Sequence, residues 1–211
     1  MSVYSVKELF LTLQGEGFHA GRAAVFCRFT GCNLWNGRES DRHSAQCRFC
    51  DTDFIGTDGP GGGKFSTADQ LADHIRRMWG STTRNPFVVF TGGEPLLQLD
   101  SSLIAAVHAR GFTIAVETNG TVSPPAGIDW LTVSPKGTTR LNAQSGQELK
   151  LVYPQAESTP NQFENLRFEH FFLQPMDGPN VIAHTNAAVQ HCLTNPQWRL
   201  SMQMHKFAGF P

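Results

Sequence analysis

Apolar residues fall along this chain in short, near-continuous runs. Ala23 to Phe29, Phe87 to Phe90, Thr113 to Glu117, Trp130 to Ser134, Glu148 to Val152 and His170 to Gln174 are each of strand length and mostly flanked by Gly, Pro or Asn. Helix patterns lie between some of them. Ser66 to Trp79 opens with Ser-Thr-Ala-Asp, a capping-box-like start, Leu97 to Arg110 is closed by Gly111, and Val181 to Leu193 stops before Pro196. Near-continuous apolar strands alternating with helices predict a mostly parallel sheet with helices outside it. The reading is α/β: a partial, incomplete TIM-like barrel of about six mostly parallel strands with few outer helices. At 211 residues the chain falls short of the roughly 250 of a full eight-stranded barrel, and no repeat or linker divides residues 1–211 into more than one domain.

Composition narrows the partners. A net charge of -1 with scattered basic residues leaves no footprint for a nucleic-acid backbone or an anionic membrane, which points to a small-molecule partner. No run approaches the roughly 18 apolar residues of a membrane span, and no basic stretch precedes a signal-like segment, so the expectation is a cytoplasmic protein. The Gly-rich stretch Gly56 to Lys64 lacks the spacing of a phosphate loop, with Asp58 and Phe65 at the deciding places, and reads as a flexible surface loop.

The five cysteines carry more information. An odd number without an export signal argues for metal ligation or catalysis rather than disulfides. Directly after the strand ending at Phe29 the chain reads Gly31-Cys32, then, after fourteen residues (33–46), Cys47-Arg48-Phe49-Cys50-Asp51-Thr52. Three cysteines leave a four-metal cluster one protein ligand short, and an iron without a thiolate can bind and polarise a substrate. On spacing alone a four-cysteine zinc site that adds Cys27 stands beside this reading. Cys27 inside a strand and Cys192 late in a helix read as small packing residues.

Thr91-Gly92-Gly93-Glu94-Pro95 follows the strand Phe87 to Phe90. Its glycines let the backbone approach a ligand at a strand's C-terminal end, and Glu94 offers an acceptor for an ammonium group. With the three-cysteine loop and an aromatic before its last cysteine, this resembles the radical S-adenosylmethionine superfamily, although the usual three-residue first spacing is replaced by fourteen. That insertion, together with Leu13-Gln14-Gly15-Glu16-Gly17, Cys50-Asp51-Thr52, Glu117-Thr118-Asn119-Gly120 and Ser134-Pro135-Lys136, resembles the 7-carboxy-7-deazaguanine synthases over nearly the whole chain.

The resemblance implies a four-iron four-sulfur cluster on Cys32, Cys47 and Cys50, S-adenosylmethionine, magnesium at Thr52, and a radical ring contraction of 6-carboxy-5,6,7,8-tetrahydropterin to 7-carboxy-7-deazaguanine and ammonia on the route to queuosine. Phe49, Asp51, Gly92, Gly93, Glu94, Ser134, Lys136 and Gln174 fall on the S-adenosylmethionine side. Leu13, Gln14, Gly15, Glu16, Arg28 and Thr91 fall on the pterin side, and Glu117, among the catalytic residues, contacts the ribose or a radical intermediate. An electron donor such as flavodoxin or ferredoxin and a homodimer are further expectations of the resemblance. A glycyl-radical activating enzyme would show the three-residue spacing, and a zinc-stabilised binding module would leave Gly92-Gly93-Glu94 without a reason.

The tail, Trp198 to Pro211, alternates up to His205 and stays aromatic almost to the last position, unlike a disordered segment. A packed tail would give the Pro211 carboxylate a fixed position. With His205 it is a candidate acceptor for the N–H donors of a pterin edge.

Overall fold

The computed structural model describes residues 3–81 and 84–211. Among them nine strands form one sheet: β1 (Tyr4–Leu13), β2 (Ala23–Phe29), β3 (Gly63–Phe65), β4 (Phe87–Gly92), β5 (Thr113–Thr118), β6 (Trp130–Val133), β7 (Ser145–Tyr153), β8 (Arg167–Pro175) and β9 (Trp198–Leu200). Their spatial order is β3-β1-β2-β4-β5-β6-β7-β8-β9. Strands from β2 through β9 run parallel, while β1 is antiparallel to both β2 and β3. The sheet does not close, so the expected partial barrel is the observed one.

The six expected strands are β2 and β4 to β8. The other three give weak signals for identifiable reasons. A register shift between Val6 and Glu8, beside the charged Lys7-Glu8 pair, breaks the alternation of β1, and β3 and β9 are three-residue edges. The Gly56 to Lys64 stretch is not a free loop: Gly59 N–H donates to Lys7 O (2.9 Å), Leu9 N–H donates to Pro60 O (2.8 Å), and β3 pairs with Tyr4 to Val6.

Helices α1 (Ala68–Trp79), α2 (Ser101–His108) and α3 (Val181–Thr194) are joined by a short α4 (Met204–Ala208). The cap of α1 is Thr67, whose hydroxyl accepts from Gln70 N–H, so the helix starts two residues after Ser66. The region expected as one helix from Leu97 is split. Pro95–Leu97 forms a single tight turn, and Asp100 caps α2 anew. The alternating tail likewise divides into β9 and α4.

Strand alternation sorts the two faces of the sheet. Val25, Cys27 and Phe29 of β2, Val88 and Phe90 of β4, and Leu149 and Leu151 of β7 pack in the main core beneath Leu71 and Ile75 of α1 and Leu103 and Val107 of α2. The intervening residues point into the barrel. Its base is apolar, built on Ala24, Phe87, Val89 and Ala115 with Phe26 and Trp130. One step toward the strand C-termini the same face turns polar, with Arg28 beside Thr91, Glu117 beside Thr132, and Thr132 beside Glu148.

The loop between β1 and β2 and the C-terminal segment meet across the gap in the barrel. Met204 N–H donates to Gly15 O (2.9 Å), and Gly17 N–H to Ser201 Oγ (2.9 Å). Gly17 has φ +65°, and a Cβ there would lie 2.0 Å from Glu148 Oε1. Any other residue there would take a strained backbone and push the Glu148 carboxylate aside.

Candidate active site

A cavity of about 300 Å³ opens at the C-terminal ends of the parallel strands, where folds of this kind place their sites. One wall is the loop after β2. Cys47, Phe49, Cys50, Asp51 and Thr52 line it, facing Gly92 and Gly93 at the end of β4 and Ser134 and Lys136 beyond β6. Cys32 stands behind Gly93. A Cβ on Gly93 would come within 2.7 Å of the Cys32 Cβ and 2.2 Å of Gly31 O, so glycine there lets the two segments touch.

Hydrogen bonds hold this wall together. Asn33 Oδ1 accepts from Asn119 Nδ2 (3.0 Å), and Asn33 Nδ2 donates to Thr121 Oγ1 (2.8 Å). Arg42 lies in the tight helix Glu39–Ser44 of the insertion, stacks on Trp35 with its guanidinium carbon 4.1 Å from the ring centroid, and donates to Arg48 O (3.1 Å) and Cys50 O (3.0 Å). Glu94 is fully buried. Its carboxylate accepts from Leu96 N–H (3.0 Å), Thr118 Oγ1 (2.6 Å) and Asn119 N–H (2.8 Å). It supports the cavity without lining it.

The facing wall is a charged cluster. The buried Lys150 pairs with Glu16 and with Glu117 (3.4 Å), while Gln14 Nε2 donates to Glu117 Oε1 (3.0 Å). Burial pushes Glu16 upward, but Lys150 first, then Gln203 and His205, bring it below its ordinary range. Burial works against the Lys150 cation as well, and the carboxylates of Glu117, Glu16 and Glu148 overcome it, raising Lys150 above the usual lysine range. Arg28 lines the same wall, its Nε donating to Glu8 Oε1 (2.7 Å). Gln203 bridges the two walls, donating to Glu16 Oε1 (3.0 Å) and Asp51 Oδ2 (3.2 Å), and Lys206 ties Asp51 (2.7 Å) to Asp177 (2.6 Å).

Most of the residues singled out from sequence therefore converge. Gln14, Glu16, Arg28, Thr91, Glu117 and His205 line the cavity with the residues of the first wall, and so does Gln174. Gly15 packs against the His205 ring. Leu13 falls on the other face of β1 by alternation and is 42 % exposed. Pro211 lies outside the cavity, a main-chain oxygen accepting from Thr12 Oγ1 (2.7 Å), two residues before Gln14.

The thiol wall suits an iron-sulfur cluster. The hydrogen bond from Cys47 lowers Cys50, while the Cys47 thiol is itself pushed up by that bond and by burial. Leu34 N–H donates to Cys32 Sγ (3.4 Å), a contact that favours a bound thiolate. Lys136 donates to Ser134 Oγ (2.5 Å) rather than to a carboxylate, and burial lowers it by disfavouring its charge, which an anionic guest in the cavity it lines would restore. Cys27 is on the helix-facing side of β2 and fully buried in the main core, which removes it from any set with the other three. Among the described residues no three His, Cys, Asp or Glu side chains converge on one metal ion.

Residues 43–152 match the radical SAM superfamily. A 7-carboxy-7-deazaguanine synthase from Bordetella pertussis is 67 % identical over 99 % of both chains. One from Bradyrhizobium diazoefficiens is 62 % identical over 98 % of both. The chain belongs to the 7-carboxy-7-deazaguanine synthase family. The crystal structure of QueE from Escherichia coli superposes with a TM-score of 0.74 at 27 % identity, covering 96 % of this chain and 95 % of that one. The superfamily match begins at residue 43, which leaves Cys32 on the far side of the insertion.

Sequence reasoning missed Lys150, Arg42, Gln203 and Lys206. A signal for the first exists: Glu148 and Lys150 are charges two apart in a strand whose neighbours Leu149, Leu151 and Val152 are apolar, hence on one face, pointing into the barrel. Gln203 and Lys206 act on Asp51 from more than 150 residues away and leave no local pattern, while Arg42 acts within its own loop on main-chain carbonyls, which carry no residue-type signal.

Proposed function

We propose that this chain is a radical S-adenosylmethionine carbon-nitrogen lyase that converts 6-carboxy-5,6,7,8-tetrahydropterin to 7-carboxy-7-deazaguanine and ammonia, a step toward queuosine and related 7-deazapurines. The observation that carries this reading is the pairing of two unlike walls in one cavity, cysteines and Lys136 on one side, and a Glu16–Lys150–Glu117 cluster with Arg28 on the other. The identity to relatives bearing that name supports it.

When bound, a four-iron four-sulfur cluster and S-adenosylmethionine supply a primary carbon radical. The protein's part is holding, orienting and shielding. Cys32, Cys47 and Cys50 hold the cluster and leave one corner without a thiolate. Gly92, Gly93 and the network on Glu94 shape the methionyl end, with Asp51 beside it. Lys136, Ser134, Gln174 and the backbone at Phe49 lie along the nucleoside.

Arg28, its Nε fixed by Glu8, presents its guanidinium to the substrate carboxylate. Glu117 stands between the two guests, oriented by Gln14. Gln203 and Lys206 fasten the C-terminal segment to Asp51, which limits water entry. The main chain of Gln14 and Gly15, with His205, borders the substrate, while the Pro211 carboxylate, held by Thr12 outside the cavity, is not assigned to it. The same reading assigns magnesium to Thr52, an assignment supported by the absence of a helix start there that would give the hydroxyl a capping role. Thr52→Ala should weaken the dependence of turnover on magnesium with iron content intact, and an unchanged magnesium titration would remove the assignment.

The same reading has a carrier such as flavodoxin or ferredoxin deliver the electron, and the protein working as a cytoplasmic homodimer with residues 1–211 as one domain. Among the described residues no helix is long and apolar enough to cross a membrane. The test is anaerobic reconstitution with iron and sulfide, reduction with dithionite, and incubation with S-adenosylmethionine, magnesium and the tetrahydropterin. Formation of 7-carboxy-7-deazaguanine by mass spectrometry with an equal yield of ammonia is the expected result. An iron-loaded enzyme that cleaves S-adenosylmethionine but leaves the pterin unchanged would refute the reading.

A further inference from the structure

Lys150 is the buried cation at the centre of the substrate wall, and nothing in the cluster, cofactor or magnesium assignments uses it. Its side chain is 6 % exposed and reaches the interior from the middle of β7, in register with Phe172 of β8. Two of its three N–H donors are taken by Glu16 and Glu117, which leaves one for a guest in the cavity that Lys150 lines.

The partner carboxylates are not equally free. Glu16 Oε1 already accepts from Gln203, and its Oε2 is in close contact with Lys150. Glu117 Oε1 takes Gln14 Nε2 and the Lys150 contact, while among the described residues its Oε2 has only Thr91 Oγ1 at 3.5 Å. The wall thus offers a cation with a spare donor next to a carboxylate with spare acceptor capacity.

That sequence of groups complements one edge of the substrate proposed above, on which this inference rests. An amino-pyrimidinone carries a ring carbonyl acceptor followed by a ring N–H and an exocyclic amine, both donors. We propose that Lys150 determines specificity for this edge, its ammonium donating to the ring carbonyl while Glu117 accepts from the adjacent N–H groups. A ring bearing an amine in place of the carbonyl would set a donor against the ammonium, and a buried site rejects such a mismatch strongly. Glu148, His19, Glu16, His205 and, on the same wall, Arg28 are other charged or titratable groups around this pair, with Lys136 on the opposite wall. None of them supplies the same donor between two carboxylates.

The test uses the reconstituted full-length enzyme with S-adenosylmethionine and two unreactive competitors, 6-carboxypterin and its 2,4-diamino analogue, each read as an inhibition constant against tetrahydropterin turnover. Turnover by the wild type is measured first, so failure of the functional reading appears there, before any competitor is added. The wild type should prefer the oxo competitor by about 10-fold or more, the ratio one charge-assisted hydrogen bond supplies. Lys150→Gln, whose amide can turn either a donor or an acceptor inward, should bring the two within about threefold. Lys150→Arg should keep the preference. Iron content and S-adenosylmethionine cleavage report the fold of each variant. A wild type that binds both competitors equally overturns the proposal even if neither variant folds, as does a cluster-loaded Lys150→Gln that keeps the full preference.

Discussion

Glu94 Oε2 accepts the main-chain N–H of Asn119 at 2.8 Å, joining two motifs 25 residues apart. The side chain of Asn119 then reaches Asn33, next to Cys32. A fully buried carboxylate with three donors thereby links the end of β4, the end of β5 and the cysteine loop. The buried carboxylate replaces its lost hydration with these donors, so its position is coupled to all three segments.

Glu94→Gln preserves volume but turns an amide NH₂ toward a group that already donates. The loss of one buried acceptor should cost about 1–3 kcal/mol, and thus several degrees of Tm. Thermal denaturation of the apoprotein measures it, and a Tm equal to wild type would contradict the network's structural role.

The cysteines should divide cleanly. Cys32→Ala, Cys47→Ala and Cys50→Ala should each abolish the roughly four irons per chain of anaerobically reconstituted protein. Cys27→Ala and Cys192→Ala should retain them, with Cys27→Ala losing about 1 kcal/mol of stability from the small core cavity. Loss of iron in Cys27→Ala would reverse the ligand assignment.

Arg42 is the one side chain of the insertion that donates to the carbonyls of Arg48 and Cys50 among the described contacts. Arg42→Ala should still load iron but release it several-fold faster to a chelator, because the loop carrying Cys47 and Cys50 loses two charge-assisted hydrogen bonds. Lys would restore charge without the fork and should rescue only in part. Equal release rates for wild type and Arg42→Ala would show the insertion to be passive.

His19 closes the base of the barrel against Trp130 (ring centroids 4.3 Å apart) and Phe87 (5.0 Å). Burial, then Arg22 and His170, lower it to about 4 from 6.5. The fold holds the neutral ring while the unfolded chain takes up a proton below 6.5, so its contribution is complete above that value and is lost as pH falls toward 4. Discounted for partial exposure, the loss between pH 7 and pH 5 is about 1 kcal/mol. His19→Gln should shrink the Tm difference between those pH values, and a difference as large as wild type's would rule His19 out as its source.

Strand runs, the breaks at Gly and Pro, the fourteen-residue spacing and the glycines after β4 are local facts, readable because alternation and turn chemistry act over a few residues. They sufficed for β2, β4 to β8 and the parallel partial barrel. They did not reveal β1, whose alternation is interrupted at Lys7-Glu8, or the three-residue edges β3 and β9, because a bulge or a very short strand is selected by its pairing partner rather than by its own pattern.

The site divides along the same line. Cys32, Cys47, Cys50 and Gly93 are legible because their chemistry depends on residue type and spacing along one stretch of chain. Only the tertiary structure put Cys27 on the opposite face from them, turned Glu94 from an open acceptor into a buried junction, and set Lys150 between Glu16 and Glu117, from 134 and 33 residues away. The reason is physical: the pairing of buried charges is decided by which strands lie side by side and which face each residue takes, and that is set by the packing of the whole sheet.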